Sequence, residues 1–254
     1  MSTWVLLRGL TREAGHWGDF IGQLAAGLPD ARILTLDLPG NGIRHGETSP
    51  TRVEDMVEAC RAELATRRLV APVHLLAMSL GAMVAVAWAA ARPQELAACV
   101  LINTSLRPFS PFHHRLRPSS YPALLGVLAG SGPRRKEAAI LRLTSHIADP
   151  VVLDDWVRLR RAHPVSPANA LRQLLAAARF RSPPHAPAVP MLVLSGAADA
   201  LVDPRCSATL AARWGLALAR HPSAGHDLPL DDGAWVVKRI QAWLAADGAL
   251  RPGP

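Results

Sequence analysis

His74-Leu75-Leu76-Ala77-Met78-Ser79-Leu80-Gly81-Ala82-Met83 decides how the rest of the chain is read. An apolar run from Val73 to Met78 stops at a serine, a glycine follows two residues later, and small and apolar residues continue to Ala91. This pattern predicts a buried strand, a very sharp turn and a buried helix. A serine at such a turn is lifted off the sheet edge in a strained backbone conformation, with its hydroxyl exposed. Ala77 and Gly81 are small because strand and helix pass so close to each other there. A hydroxyl is a weak nucleophile by itself, so chemistry at Ser79 requires a base and an acid further along the chain.

Outward from this stretch, strands alternate with helices toward both ends. Before it come a strand from Trp4 to Leu7, a helix from about Asp19 to Leu28, a strand from Arg32 to Leu38 and a helix from about Val53 to Arg68. Thr51 or Ser49 is placed to cap that second helix. After it comes a strand from Cys99 to Asn103, and then the alternation breaks for more than eighty residues. Prolines at 108, 111, 118 and 122 punctuate an irregular entry, and helical patterns follow at about 120–129, 134–147, 150–162 and 167–180. The core pattern resumes with a strand from Met191 to Ser195, a helix after Pro204, a short strand near Leu216 to Ala219 and a helix from Asp232 to Ala246. Six strands joined by helical connections predict a doubly wound parallel α/β sheet. Residues 1–105 and 189–254 form its core, and residues 106–188 are an inserted helical cap.

Composition is consistent with this reading. Half of the 254 residues are hydrophobic, as a sheet buried on both faces requires. No apolar run reaches the length of a membrane span, and the first residues read as a strand, not a signal peptide. Cys60, Cys99 and Cys206 lie far apart, which suggests reduced thiols in a cytoplasmic protein. No His/Cys group has zinc-ligand spacing, so neither metal nor cofactor is expected. The net charge of +8 is local: residues 106–188 hold twelve arginines and Lys136 against Glu137, Asp149, Asp154 and Asp155, a balance of +9, leaving −1 elsewhere. A nucleic-acid partner is therefore not expected.

Two loops complete the pattern. Ser195-Gly196-Ala197-Ala198-Asp199 follows the fifth strand, and Ser223-Ala224-Gly225-His226-Asp227 follows the sixth. With Ser79 they stand in the chain order Ser, Asp, His, and the chain resembles an α/β-hydrolase. The first glycine of the family's Gly-x-Ser-x-Gly elbow is here Ala77. The family's two additional N-terminal strands are expected to be absent, because the first strand lies so close to the first residue. The resemblance implies Ser79 as nucleophile, His226 as base and Asp199 as the acid behind it. Asp203 competes for the acid role, but its place beside Pro204 at a helix start suits a cap. It also implies an oxyanion hole from the backbone N–H groups of Leu80 and Leu10. Where the family usually has His-Gly, this chain has Arg8-Gly9. Arg8 either pairs with nearby Glu13 or Asp37 or contacts substrate, and Trp17 either lines the acyl pocket or is core. His16, His45, His113, His114 and His146 fall outside this frame and read as surface or cap residues.

Family members with dehalogenase or epoxide hydrolase chemistry carry aspartate at the elbow, so the serine excludes them. The resemblance points to a serine carboxylesterase acting on a small-molecule ester through an acyl-enzyme, similar to the pimeloyl-carrier-protein methyl ester esterases. Two alternatives use the same fold: a thioesterase or carbon–carbon hydrolase or lyase with the same triad, and a non-catalytic ligand receptor. The clusters Arg134-Arg135-Lys136 and Arg158-Arg160-Arg161 either form a solvated face or attract an anionic partner, such as an acidic acyl carrier protein or an acyl-coenzyme A.

Overall fold

Continuous apolar runs form the centre of one sheet. The computed structural model describes residues 2–246 apart from Val70, residues 129–131 and Ala148. Its strands are β1 (Ser2–Leu7), β2 (Ala31–Leu36), β3 (Val73–Met78), β4 (Leu96–Ile102), β5 (Met191–Gly196) and β6 (Ala217–His221). They lie in the order β2-β1-β3-β4-β5-β6, and every pairing is parallel. All residues of β3 and β5 are buried, whereas edge strand β6 is largely exposed. Side chains alternate between the two faces, as the pleat demands. Trp4 and Leu6 face one apolar layer, and Val5 and Leu7 face the other.

Helices α1 (Phe20–Gly27) and α10 (Leu228–Ala246) cover the first face, where Phe20, Leu24, Val236, Ile240 and Trp243 pack on Leu76 and Val100. Helices α2 (Val53–Thr66), α3 (Leu80–Ala91) and α9 (Arg205–Trp214) cover the second. α3 is buried from Leu80 through Ala89, which is why its sequence carries no polar face. β1 and β3 are neighbours although β2 separates them in the chain, so the winding reverses between them. Their carboxyl ends meet at this reversal, the place where an open α/β sheet leaves a crevice.

Between β4 and β5 the chain forms α4 (Phe112–Arg115), α5 (Tyr121–Leu128), α6 (Pro133–Thr144), α7 (Pro150–Ala162) and α8 (Pro167–Arg179). α5 to α8 match the four predicted helices; α4 is short and lies within the stretch read as irregular. Helix α8 is inverted: it buries Asn169 and Gln173 and exposes Leu171 and Leu174. The buried amides have specific partners. Gln173 donates to Asn41 Oδ1 (2.7 Å) and Ser49 Oγ (2.9 Å) and accepts from the Thr11 N–H (2.8 Å). Asn169 accepts from the Ser49 N–H and donates to the Glu47 carbonyl, both at 2.9 Å.

β4 starts at Leu96, three residues before the expected Cys99, and the caps of two helices differ from the sequence reading. α2 has Arg52 at its cap position with no side-chain bond, because the Ser49 hydroxyl is buried and donates to the Pro39 carbonyl instead. α10 begins at Leu228, but Asp232 breaks its geometry (φ −155°, ψ 76°) and accepts from the Trp235 N–H. The predicted start at Asp232 is thus the cap of the longer, second part. Cys60, Cys99 and Cys206 are free and buried, and burial pushes the Cys60 and Cys99 thiols up to about 12.

A side chain at Gly81 has no room, since a Cβ there would lie 2.6 Å from the carbonyl oxygens of both Leu7 and Arg8. Gly81→Ala is therefore expected to cost roughly 2–3 kcal/mol in denaturant unfolding. Gly22→Ala, in α1 where a Cβ meets nothing within 4 Å, is expected to stabilise by about 0.5–1 kcal/mol.

Candidate active site

The turn from β3 into α3 holds Ser79 at φ 55° and ψ −115°, a region that non-glycine residues rarely occupy. Its backbone is fixed from both sides: the Ser79 N–H donates to the Ile102 carbonyl (2.9 Å), and its own carbonyl accepts from Thr104 Oγ1 (3.1 Å). The loop after β1 comes close at Gly9, where a Cβ would stand 3.0 Å from Ser79 Cβ and 3.5 Å from its Oγ. Leu10 follows in that loop. Leu80 opens α3, so its N–H has no partner within the helix.

Asp199 and His226 are brought together by the loops after β5 and β6. Their side chains meet at 2.7 Å, Asp199 Oδ2 to His226 Nδ1, with 1% and 4% of each residue exposed. The other Asp199 oxygen accepts from the N–H groups of Leu201 and Val202, both at 2.8 Å, so the carboxylate cannot turn away. The two loops pack so closely that a Cβ on Gly196 would lie 2.3 Å from the Ala224 carbonyl oxygen. Among the described residues no hydrogen bond joins Ser79 Oγ to His226; such contacts commonly tighten only in a substrate complex. Asp203 has other partners. It accepts from the Arg205 N–H and pairs with the Arg205 guanidinium at 2.7 Å, which holds its carboxyl down to about 2.

Arg8 pairs with neither Glu13 nor Asp37. Its two terminal nitrogens grip Asp227 at 2.5 and 3.0 Å, and both residues are buried. Asp227, the residue after His226, is distant from Arg8 in the chain, and the fold places it against the loop after β1. Glu13 is buried beside His163 instead, and Asp37 accepts from the N–H groups of Ala14 and Ile43. Burial raises both carboxyls above their usual range. Trp17 is 3% exposed, packs on Phe20 and lies under the Arg8 guanidinium at 4.8 Å.

His16 corrects the reading that placed it at the surface. It is buried, 2.7 Å from Arg12 Nη1 and edge-on to Trp156 of α7. Burial, reinforced by the charges of Arg12 and Arg8, holds it well below its ordinary value. Arg12 also pairs with Glu137 of α6 at 2.7 Å, and Arg160 of α7 pairs with the same carboxylate. Burial favours the neutral acid, but the two arginines overcome it and hold Glu137 below the usual carboxylate range. This trio ties the inserted helices to the loop after β1. Among the described residues no group of three or more His, Cys, Asp or Glu side chains could hold a metal ion.

A sequence model of the alpha/beta hydrolase family matches residues 4–239. In three dimensions the chain is similar to a thermophilic esterase from Thermogutta terrifontis, with a TM-score of 0.75 and 22% identity, covering 97% of this chain and 90% of that one. It is also similar to an enol-lactonase from Burkholderia xenovorans LB400, with a TM-score of 0.75 and 20% identity over 96% of this chain and 91% of that one. A hydrolase from Pseudomonas aeruginosa PA01 gives 0.73 and 19%, over 96% and 89%. At these identities the likeness is one of fold. No curated protein matches the chain in sequence.

Replacing Glu137 leaves two arginines facing each other without a counter-charge. Glu137→Gln is expected to cost about 3–5 kcal/mol at neutral pH by denaturant unfolding. Because the folded-state value is depressed, the contribution is full above the unfolded carboxyl value of about 4.3 and disappears as pH falls through the lower folded value. The deficit of the variant should therefore narrow below about pH 4.

Proposed function

The chain belongs to the alpha/beta hydrolase family, and on that footing we propose that it is a serine hydrolase that cleaves a carboxylic ester through an acyl-enzyme. The observation that carries this reading is the buried 2.7 Å contact between His226 Nδ1 and Asp199 Oδ2, at the same end of the sheet as the strained Ser79 turn. In the proposed mechanism Asp199 keeps a proton on Nδ1, which leaves Nε2 free to accept the Ser79 hydroxyl proton as Oγ attacks the ester carbonyl. The N–H groups of Leu10 and Leu80 receive the developing oxyanion, with Leu80 at the positive end of α3. His226 then protonates the leaving alcohol. Water, activated by the same imidazole, releases the acid. Arg8, held by Asp227 and backed by Trp17, joins the oxyanion loop to the loop of the base. Arg8 Nε is buried without a protein partner among the described residues.

Residues 106–188 serve, in this reading, as a cap over the core formed by residues 1–105 and 189–254. Three contacts at the Ser79 end of the sheet support it: Gln173 to Thr11, Glu137 to Arg12, and Arg117 to the Asp199 carbonyl. Buried free thiols support a cytoplasmic location, and no helix among the described residues is long and apolar enough to cross a membrane. The positive balance of the cap favours an anionic acyl donor, on an acidic carrier protein or coenzyme A, as in the pimeloyl-carrier-protein methyl ester esterases. That balance already counts the cap's own acids, three of which are paired: Asp154 with Arg134, Asp155 with Arg158 and Glu137 with Arg160. Arg135 and Arg161 are exposed and Lys136 is half-buried, and among the described residues none of the three makes an ion pair.

A fluorophosphonate should label the wild type and not Ser79→Ala, and the same change should lower ester turnover by on the order of 10³-fold or more in folded protein. Asp199→Asn should impair turnover far more than Asp203→Asn, which loses only the ion pair with Arg205. A wild type with neither label nor turnover would favour the receptor reading, unchanged turnover in Ser79→Ala would remove Ser79 as the nucleophile, and the reverse ranking of the two aspartates would move the acid to Asp203.

Second-order rate constants for an anionic acyl thioester should fall more steeply with salt than those for a neutral ester of equal chain length. Reversing the charge of Arg135, Lys136 and Arg161 should remove the difference; equal slopes in the wild type would leave the cap charge without a part in the reaction.

A further inference from the structure

Three consecutive residues at the end of β4 touch the backbone on both sides of the candidate reaction centre. Ile102 accepts from the Ser79 N–H, and Thr104 Oγ1 donates to the Ser79 carbonyl. Between them, Asn103 is 2% exposed and stands at φ 45°, a left-handed conformation that asparagine tolerates better than most residues. Its Nδ2 donates to two carbonyls in succession, Gly225 at 3.0 Å and His226 at 2.7 Å. Its Oδ1 accepts from the Gly196 N–H at 2.9 Å, and its own N–H donates to the Leu194 carbonyl at 3.0 Å. One amide orientation fits, because an N–H faces one end and two carbonyls face the other.

We infer that Asn103 and Thr104 are positioning residues that set the distance between Ser79 and His226. The inference rests on reading these two as nucleophile and base. Asp199 orients the imidazole ring through Nδ1, but that bond alone leaves the ring free to move with its loop. Asn103 fixes the backbone of the same residue, and through Gly196 it fixes the strand that leads to Asp199. Thr104 fixes Ser79 from the adjacent position. Both ends of the proton transfer are thereby referred to one rigid strand end, as a reaction sensitive to displacements of about 1 Å requires. Neither side chain touches a reacting atom.

The asparagine is chemically specific. Aspartate has the same shape but cannot donate, so Asn103→Asp would turn an oxygen toward the carbonyls of Gly225 and His226. Asn103→Gly keeps the backbone conformation and removes the clip. Thr104→Val keeps the shape and removes one bond to Ser79.

The test uses the full chain, with folding checked by circular dichroism and melting temperature. Fluorophosphonate labelling rates are measured across pH for the wild type and the three variants, together with kcat and KM for a neutral ester. Folded Asn103→Asp and Asn103→Gly are expected to label about 10–100-fold more slowly, with kcat reduced, KM near wild type and the pH midpoint of labelling displaced. Thr104→Val is expected to slow labelling about 3–10-fold; it decides the matter if neither Asn103 variant folds. Lower melting temperatures with wild-type labelling rates and pH midpoint would reduce Asn103 and Thr104 to staples and overturn the inference. A wild type that takes no label overturns the serine reading itself, and the inference with it.

Discussion

A serine held at φ 55° and ψ −115° between a buried strand and a buried helix needs neighbours without side chains. Gly81 supplies one, lying against the backbone of Leu7 and Arg8, and Gly9 supplies the other, beside Ser79 itself. These contacts require β1 to be next to β3, and that adjacency exists because the winding of the sheet reverses there. The strain at Ser79 thus depends on sheet topology, and the local sequence is what the topology permits. The surrounding apolar layers, from Leu75 and Leu76 to the fully buried α3, hold a conformation that an isolated turn would not keep.

Buried charge forms a second level of organisation. Arg8 with Asp227, and Arg12 with Glu137 and Arg160, place five ionised groups largely out of water, all joined to the loop after β1. Ion pairs of this kind contribute little net stability compared with apolar packing of the same volume, because desolvation offsets their attraction. They do discriminate strongly against wrong arrangements, since a separated partner is left as an uncompensated buried charge. One pair fixes the loop of His226 and the other fixes the inserted helices, so the loop after β1 sets both relative to Ser79. The arginine-rich composition of the insertion therefore has a partly internal use, as Arg160 shows.

Much of this was legible in the chain. The strands could be read because parallel strands buried on both faces need unbroken apolar runs such as Val73 to Met78 and Met191 to Leu194. Helices α5 to α8 announced themselves by periodicity between prolines. Ser79, Asp199 and His226 could be picked out because each follows a strand in a fixed order, and the structure brings the latter two into contact.

What only the tertiary structure decided are the pairings between distant positions. Arg8 finds Asp227 and not Glu13, Asn103 reaches His226, His16 is enclosed by α7, and α8 turns its amides inward to meet Asn41 and Ser49. Periodicity reports which face of an element is apolar, and α8 shows that this need not be the buried face. A polar side chain carries no mark of its partner, because hydrogen bonds and ion pairs are satisfied by whichever complementary group the fold delivers within about 3 Å. Local sequence thus determined the elements and the order of the chemistry-bearing residues. The packing of loops from separate strands determined which of those residues hold one another in place.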